Sequence, residues 1–337
     1  MVRLGFIGAG NISAMHVKAL AATPDAEIVA LADVVPGNIA KLKEQFPAIA
    51  GAAEHADYRD MLRAGNLDGV LVLTPHHLHY RHIRDALEAD VHVLTEKPFV
   101  TQPQQARELL ALATERGRIL KLSYQNPLLW PYRYTRERVL GGDLGEILFY
   151  SGQITQQWGL RGNGWRMDAA LGEGGMLVDT GSHFVDLMLY LTAMRPQTVV
   201  AMNDTNGQQV DIINGALIRF GGNRVATLAA VGRGPTLWHI TIIGTKGTIE
   251  LTDRDHITHI GADNYAGWIG TPRTNLVPPE GERPVSTTPD AEFVGAVRRN
   301  DLSGTDAGRG LVVAQLTQAI YTSAHAGGVP VAVEDFG

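Results

Sequence analysis

The stretch Leu4-Gly5-Phe6-Ile7-Gly8-Ala9-Gly10-Asn11-Ile12-Ser13 decides the reading of this chain. An apolar run of strand length passes straight into a glycine-rich turn, and a helical stretch near Met15–Ala22 follows. Gly8 permits the tight turn, and Gly10 lets the backbone approach a diphosphate. The helix N-terminus then offers amide N–H groups and positive dipole to that group. Ser13 stands where Gly or Ala is usual, adding modest bulk where helix and strand pack. Asp33 closes the second apolar run, roughly 20 residues further on. A carboxylate there accepts hydrogen bonds from the adenine-side ribose and repels a 2′-phosphate, which favours NAD over NADP. Stripped of this context, the same residues are a tight turn with a surface aspartate.

The pattern around the turn repeats up to about residue 124. Apolar runs at Leu4–Ile7, Ile28–Ala32, Val70–Leu73, Val91–Leu94 and Ile119–Leu122 alternate with helical stretches at Pro36–Phe46, His79–Ala89 and Pro103–Arg116. Continuous apolar strands separated by helices predict a parallel sheet covered on both faces, the doubly wound α/β architecture. Beyond Tyr124 the rhythm changes. A helix near Tyr132–Leu140 leads into runs at Ile147–Thr155, Thr198–Met202, Gly215–Phe220, Val225–Val231, Ile240–Ile243 and Thr248–Leu251, the last two joined by a turn at Gly244–Gly247. Strands following strands predict a mostly antiparallel sheet in an α+β domain. Residues 253–288, rich in Gly, Pro, Asp and Thr, read as an extended loop. Helices near Ala291–Arg299 and Gly310–Ala324 are expected to pack back onto the body. The domains expected are 1–124, which binds the dinucleotide, and 125–337, for substrate and oligomerisation.

Composition narrows the class. The 337 residues are 45% hydrophobic, enough for two cores at about 150 residues per domain. A net charge of −6, from 29 Lys and Arg against 35 Asp and Glu, argues against a broad nucleic-acid or anionic-membrane surface. Zero cysteines exclude disulfides, thiolate nucleophiles and Cys-ligated metal. The first residues read as a strand and no apolar run reaches membrane-spanning length, so the expected location is the cytoplasm.

Two further motifs carry a family resemblance. Thr95-Glu96-Lys97-Pro98 follows an apolar strand, and Gly174-Gly175-Met176-Leu177-Val178-Asp179-Thr180-Gly181-Ser182-His183-Phe184-Val185-Asp186 lies in the second half. With the glycine turn, Thr74–His79 and Ser323–Gly327, these resemble the Gfo/Idh/MocA family, the glucose–fructose oxidoreductase and inositol dehydrogenase relatives. The resemblance spans nearly the whole chain. It implies a Rossmann domain, a C-terminal domain with a large open sheet often used for dimerisation, and NAD as cofactor. It also implies sugar or cyclic-polyol substrates and no metal. The catalytic residues it implies are Lys97, Asp179 and His183. The implied nucleotide contacts are Gly8, Gly10, Asn11, Ile12, Asp33, Thr74, Pro75, His79, Glu96 and Lys97. Gln125-Asn126-Pro127 departs from the Arg-rich text of relatives.

These residue types suit alcohol oxidation, in which a hydride goes to the nicotinamide and a proton to a base within hydrogen-bond reach. Asp179 and His183, four apart, share one face of a helix, so the carboxylate can fix the imidazole tautomer and support its charge. Lys97 ends a strand at the carboxyl edge of the sheet, where doubly wound folds bind ligands, so it is expected to meet substrate and cofactor. Trp165 and Arg166 offer a ring face and a guanidinium to a polyhydroxylated substrate. Blander roles are open for several of these residues. Asp179 can cap the helix running to about Leu191, His183 can be a core histidine, and Trp158 and Trp165 can be packing residues. Asp186 extends the Asp179–His183 face in a pattern that also suits a metal. The cluster His76, His77, His79 and His82 lacks metal-ligand spacing. The expected activity is an NAD-dependent dehydrogenase acting on a ring hydroxyl of a sugar, anhydrosugar or inositol-like polyol, working as a homodimer or homotetramer. The alternatives are an NAD-dependent enzyme that cleaves glycosides by transient oxidation, and a non-catalytic NAD sensor.

Overall fold

The computed structural model describes residues 1–160, 164–253, 256–261, 273–302 and 307–334. The chain forms two compact units, residues 1–125 with 287–314, and residues 126–286 with 315–337.

The first unit is built on a six-stranded sheet. In chain order its elements are β1 (Val2–Ile7), α1 (Ser13–Ala21), β2 (Ala26–Ala32), α2 (Pro36–Gln45), β3 (Ala53–His55), α3 (Tyr58–Ala64), β4 (Gly69–Val72), α4 (His79–Glu88), β5 (His92–Thr95), α5 (Pro103–Glu115) and β6 (Leu120–Leu122). The order across the sheet is β3-β2-β1-β4-β5-β6, and every pair is parallel. Alternate residues of the apolar strands feed opposite faces. Ile7, Val70, Val72 and Val93 join a core with Ile83, Leu87 and Leu109, while Phe6, Leu71 and Leu94 join another with Val17, Leu20 and Leu42. This double burial is why the strands read as continuous apolar runs. The parallel α/β sheet thus matches the fold that the alternation predicts. The pattern missed β3 and α3, because a three-residue strand carrying Glu54 and His55 has no apolar run to show.

Chain order reverses beside β1, the switch point where such sheets bind ligands at the carboxyl ends of their strands. The turn after β1 needs glycine at position 8: its φ is +102°, and a Cβ there would stand 2.8 Å from the Leu73 carbonyl oxygen.

The second unit carries α6 (Trp130–Leu140), β7 (Ile147–Thr155), the short α7 (Ala169–Gly172), α8 (Ser182–Thr192), β8 (Pro196–Asp204), β9 (Ile213–Phe220), β10 (Val225–Val231), β11 (Leu237–Gly244), β12 (Gly247–Thr252), β13 (His256–Gly261) and β14 (Arg273–Asn275). α9 (Pro289–Arg299) then belongs to the first unit, where Phe293 and Val294 enter the core. α10 (Ala307–His325) crosses from the first unit to the second, and β15 (Val331–Ala332) ends the described chain. The nine-stranded sheet runs β14-β13-β12-β11-β7-β10-β9-β8-β15, antiparallel except for β7 beside β10. Its strands alternate, with Tyr150, Ile154, Ile218, Leu228, Ile240 and Ile242 buried. Gly244 pairs with Gly247 across the expected turn.

One expectation is corrected here. The segment 253–288 is not loop throughout: β13 pairs with β12 and β14 with β13. The edge of β12 offers unpaired backbone groups, and Ile257 supplies the one buried side chain that seats the added strand. Residues 254–255 and 262–272 of that segment lie outside the described residues. Among the described residues no helix is long and apolar enough to cross a membrane.

Candidate active site

In the first unit the glycine turn is held from one side and open on the other. Asp33 Oδ2 accepts the Ala9 N–H at 2.8 Å, while Oδ1 accepts the Val35 N–H at 2.8 Å and the Asn38 amide at 3.2 Å. The carboxylate at the end of β2 is therefore locked to the turn after β1. Among the described residues, nothing beyond the glycine and its chain neighbours lies within 4 Å of where a Cβ of Gly10 would stand. The backbone is approachable there, as a dinucleotide diphosphate requires. Ser13 is fully buried, and its hydroxyl donates to the Gly10 carbonyl, so the substituted third position adds a bond to the turn.

Two loops at the carboxyl edge are braced together by His79. Its ring is fully buried, with one nitrogen 2.8 Å from the Pro98 carbonyl and the other 2.9 Å from the Thr74 carbonyl. Burial pushes this imidazole below its ordinary pKa, against the pull of the Pro98 and Thr74 carbonyls. With no exposed surface and both nitrogens on the backbone, His79 shapes the loops of Thr74 and Lys97. His82 is likewise internal: its Nδ1 meets the Thr74 hydroxyl at 3.0 Å, and burial drives its pKa down to about 4.

Behind Lys97 lies a group that the sequence reading did not single out. His16, on α1, sits between two carboxylates: Nδ1 is 2.8 Å from Asp290 Oδ1, and Nε2 is 3.2 Å from Glu96 Oε1. Glu96 Oε2 accepts the Lys97 backbone N–H at 3.2 Å. Burial alone lowers the His16 pKa, but hydrogen bonds to Asp290 and Glu96 and both carboxylate charges outweigh it, holding the imidazolium up to about 10. Burial would likewise raise Glu96. The His16 bond and charge, with the Lys97 charge and a bond to Ser123, hold it down to about 2. The only sequence signal was a histidine one turn into the helix after the glycines. Its partner Asp290 is 274 positions away.

In the second unit, residues Leu177–Gly181 form a π-helical turn that runs directly into α8. Such turns recur at functional sites. Asp179 lies inside this turn, 2% exposed, so the capping role considered for it is corrected. Its Oδ2 accepts the Trp158 indole N–H at 2.6 Å and the Arg166 Nε–H at 3.0 Å. Arg166 also lies 4.3 Å over the Trp165 ring. His183 is one turn further and buried, with the Asn126 amide 3.4 Å from its Nδ1. Asn126 belongs to the segment whose text departs from relatives, and it is 1% exposed.

The cap of this helix is Asp211, which the sequence did not reveal. Oδ1 accepts the Gly175 N–H at 2.8 Å, Oδ2 accepts the Leu177 N–H at 2.9 Å, and Tyr321 donates to Oδ1 at 2.6 Å. A side chain at Gly175 would collide with the Asp211 backbone oxygen, 2.1 Å from its Cβ position.

A six-stranded parallel sheet with an open glycine turn at its switch point defines a dinucleotide-binding α/β unit. Comparison with known proteins gives the class in full. Residues 2–124 match an oxidoreductase family with an NAD-binding Rossmann fold, and residues 132–250 match the GFO/IDH/MocA C-terminal domain. The chain belongs to the Gfo/Idh/MocA oxidoreductase family and carries its NAD-binding domain. Relatives include D-glucoside 3-dehydrogenase of Escherichia coli (strain K12), 26% identical over 97% of this chain and 96% of that protein. Glucose-6-phosphate 3-dehydrogenase of Bacillus subtilis (strain 168) is 29% identical over 57% of this chain and 54% of its own. Among solved structures, a levoglucosan dehydrogenase in complex with NADH and L-sorbose shares the fold, with a TM-score of 0.87, 20% identity and 99% of both chains covered.

Proposed function

We propose that this protein is an NAD-dependent dehydrogenase that exchanges hydride at a ring carbinol of a hexose, glucoside or related cyclic polyol, with carbon 3 of a pyranose as the first candidate. Two relatives named as 3-dehydrogenases of glucose derivatives support that position. The observation that carries the reading is the Asp179–His183 turn: a buried carboxylate held by an indole and a guanidinium, followed one turn later by a buried imidazole beside an amide.

The bound nicotinamide supplies the hydride acceptor. Gly8, Gly10, Asn11 and Ile12 would hold the diphosphate, Asp33 the adenine-side ribose, and Thr74, Pro75 and Glu96 the nicotinamide half. His183 takes the hydroxyl proton on Nε2; Asp179 supports the charge that develops, and the Asn126 amide, turned so that its Oδ1 accepts the Nδ1 proton, holds the tautomer that leaves Nε2 free. Lys97 polarises the reacting oxygen. Trp165 and Arg166 take the sugar's ring face and hydroxyls.

Asp33 sets the nucleotide preference. Its carboxylate is fixed against Ala9, and the residues that follow, Val34 and Val35, bring no cation for a 2′-phosphate. Initial rates should favour NAD+ over NADP+, and Asp33→Ser should narrow the ratio. A wild-type preference for NADP+ contradicts the assignment.

Lys97→Ala and His183→Ala should bind NAD+ within a few-fold of wild type and lose about 10²–10⁴-fold in turnover. Full turnover in either removes that residue from the mechanism. The outer face of the nine-stranded sheet, with Met202, Ile213, Leu217 and Ile243 exposed, is assigned to a second copy of the chain. Leu217→Asp should shift the sedimentation of the protein to that of a monomer, and a monomeric wild type contradicts this.

A further inference from the structure

We propose that His16 is a positioning residue for the reaction: anchored by Asp290, its imidazolium fixes the Glu96 carboxylate and, through it, the peptide that carries Lys97. The inference rests on the reading of Lys97 given above. The chain of contacts is continuous. Asp290 Oδ1 meets Nδ1 at 2.8 Å, Nε2 meets Glu96 Oε1 at 3.2 Å, and Glu96 Oε2 accepts the Lys97 N–H at 3.2 Å. The His16, Glu96 and Asp290 side chains are 5%, 13% and 5% exposed.

An imidazole with a carboxylate at each nitrogen satisfies both only when both nitrogens carry protons. Removing that cation would leave two carboxylates buried without their partner, and one of them would take up a proton or turn away. Glu96 is also faced by the Lys97 charge and the Ser123 hydroxyl, so its reorientation would be felt at Lys97 first. Asp290 stands in the first turn of α9, where the helix N-terminus favours an anion and holds the anchor in place. The segment that returns to the first unit after residue 286 thereby sets the geometry of a loop at the sheet's carboxyl edge.

The decisive experiment is a double-mutant cycle on the full-length protein. His16→Gln should lower turnover at saturating NAD+ by about 10²-fold, the cost of displacing a reacting group by about 1 Å, and weaken NAD+ binding through Glu96 by much less. It should also introduce an inflection in the pH profile of kcat that wild type lacks, because Glu96 then titrates. In a Lys97→Ala background His16→Gln should cost nothing further, since it acts through Lys97. Asp290→Asn should show the same pattern in weaker form and carries the test if His16→Gln does not fold. Nitrogen-15 spectra of the wild type should show both His16 ring nitrogens protonated at pH 8. Equal losses from His16→Gln with and without Lys97 would overturn the relay while leaving Lys97's role standing. So would a fall in thermal stability alone with the kcat profile unchanged. Full turnover of Lys97→Ala by itself would instead overturn the reading on which the relay rests.

Discussion

The Asp179 carboxylate shows what single residues contribute to this site. Its Oδ2 gathers an indole N–H and a guanidinium N–H, two donors that satisfy a buried carboxylate oxygen and fix its direction. Trp158→Phe removes one donor while keeping an aromatic ring in the 1%-exposed position. It should cost about 1–3 kcal/mol in chemical denaturation, with turnover falling more than NAD+ affinity. Unchanged turnover would show that the indole serves packing alone. Asp179 and His183 stood out through the family motif they belong to, and they lie on either side of the junction between the π turn and α8. The role of the Trp158 N–H was not legible, since 21 positions separate it from its acceptor and only the folded chain closes that distance. Asn126 announced itself only as a departure from the expected text. Its place beside His183 gives that departure a physical content.

At the scale of elements, the helix bearing Asp179 and His183 is only as well placed as its cap. Asp211 receives the Gly175 and Leu177 amides together with the Tyr321 hydroxyl and the Asn214 amide. Asp211→Ala leaves these donors without their acceptor, at about 1–3 kcal/mol for each one that stays buried and unpaired. A loss of several kcal/mol in urea unfolding is expected, with turnover falling in parallel. A loss below about 1 kcal/mol would show that the cap is dispensable. Helices and long strands were legible because their apolar periodicity is strong: β7 and β10 have the very bounds that their apolar runs mark. The π turn and the short β3 and β14 were not. One depends on which carbonyl an amide selects, and the others on an edge that a neighbouring strand provides.

For the whole molecule, the His16 cluster makes stability depend on pH from both sides. The folded state keeps His16 protonated up to about 10, whereas the unfolded imidazole releases its proton near 6.5. Across that interval the folded protein binds more protons, so the contribution is full below 6.5 and is lost as pH rises through 10. Glu96 acts in the opposite sense. Its contribution is full above about 4.5 and is lost as pH falls toward 2. The melting-temperature difference between wild type and His16→Gln should therefore be largest between about pH 4.5 and 6.5 and shrink toward pH 10. A difference that grows on the alkaline side would contradict the charge assignment.

The proposed reaction moves a hydride from a ring carbinol to NAD+. It is tested by supplying NAD+ with glucosides, free hexoses and inositols, each carrying deuterium on its carbinol carbons, and following both products. At least one substrate should yield a keto-sugar and reduced cofactor in equal amounts, with the deuterium on the nicotinamide ring and a slower rate than the protium compound. Release of an aglycone without net NADH, or NAD+ binding with no turnover across the whole set, would contradict it.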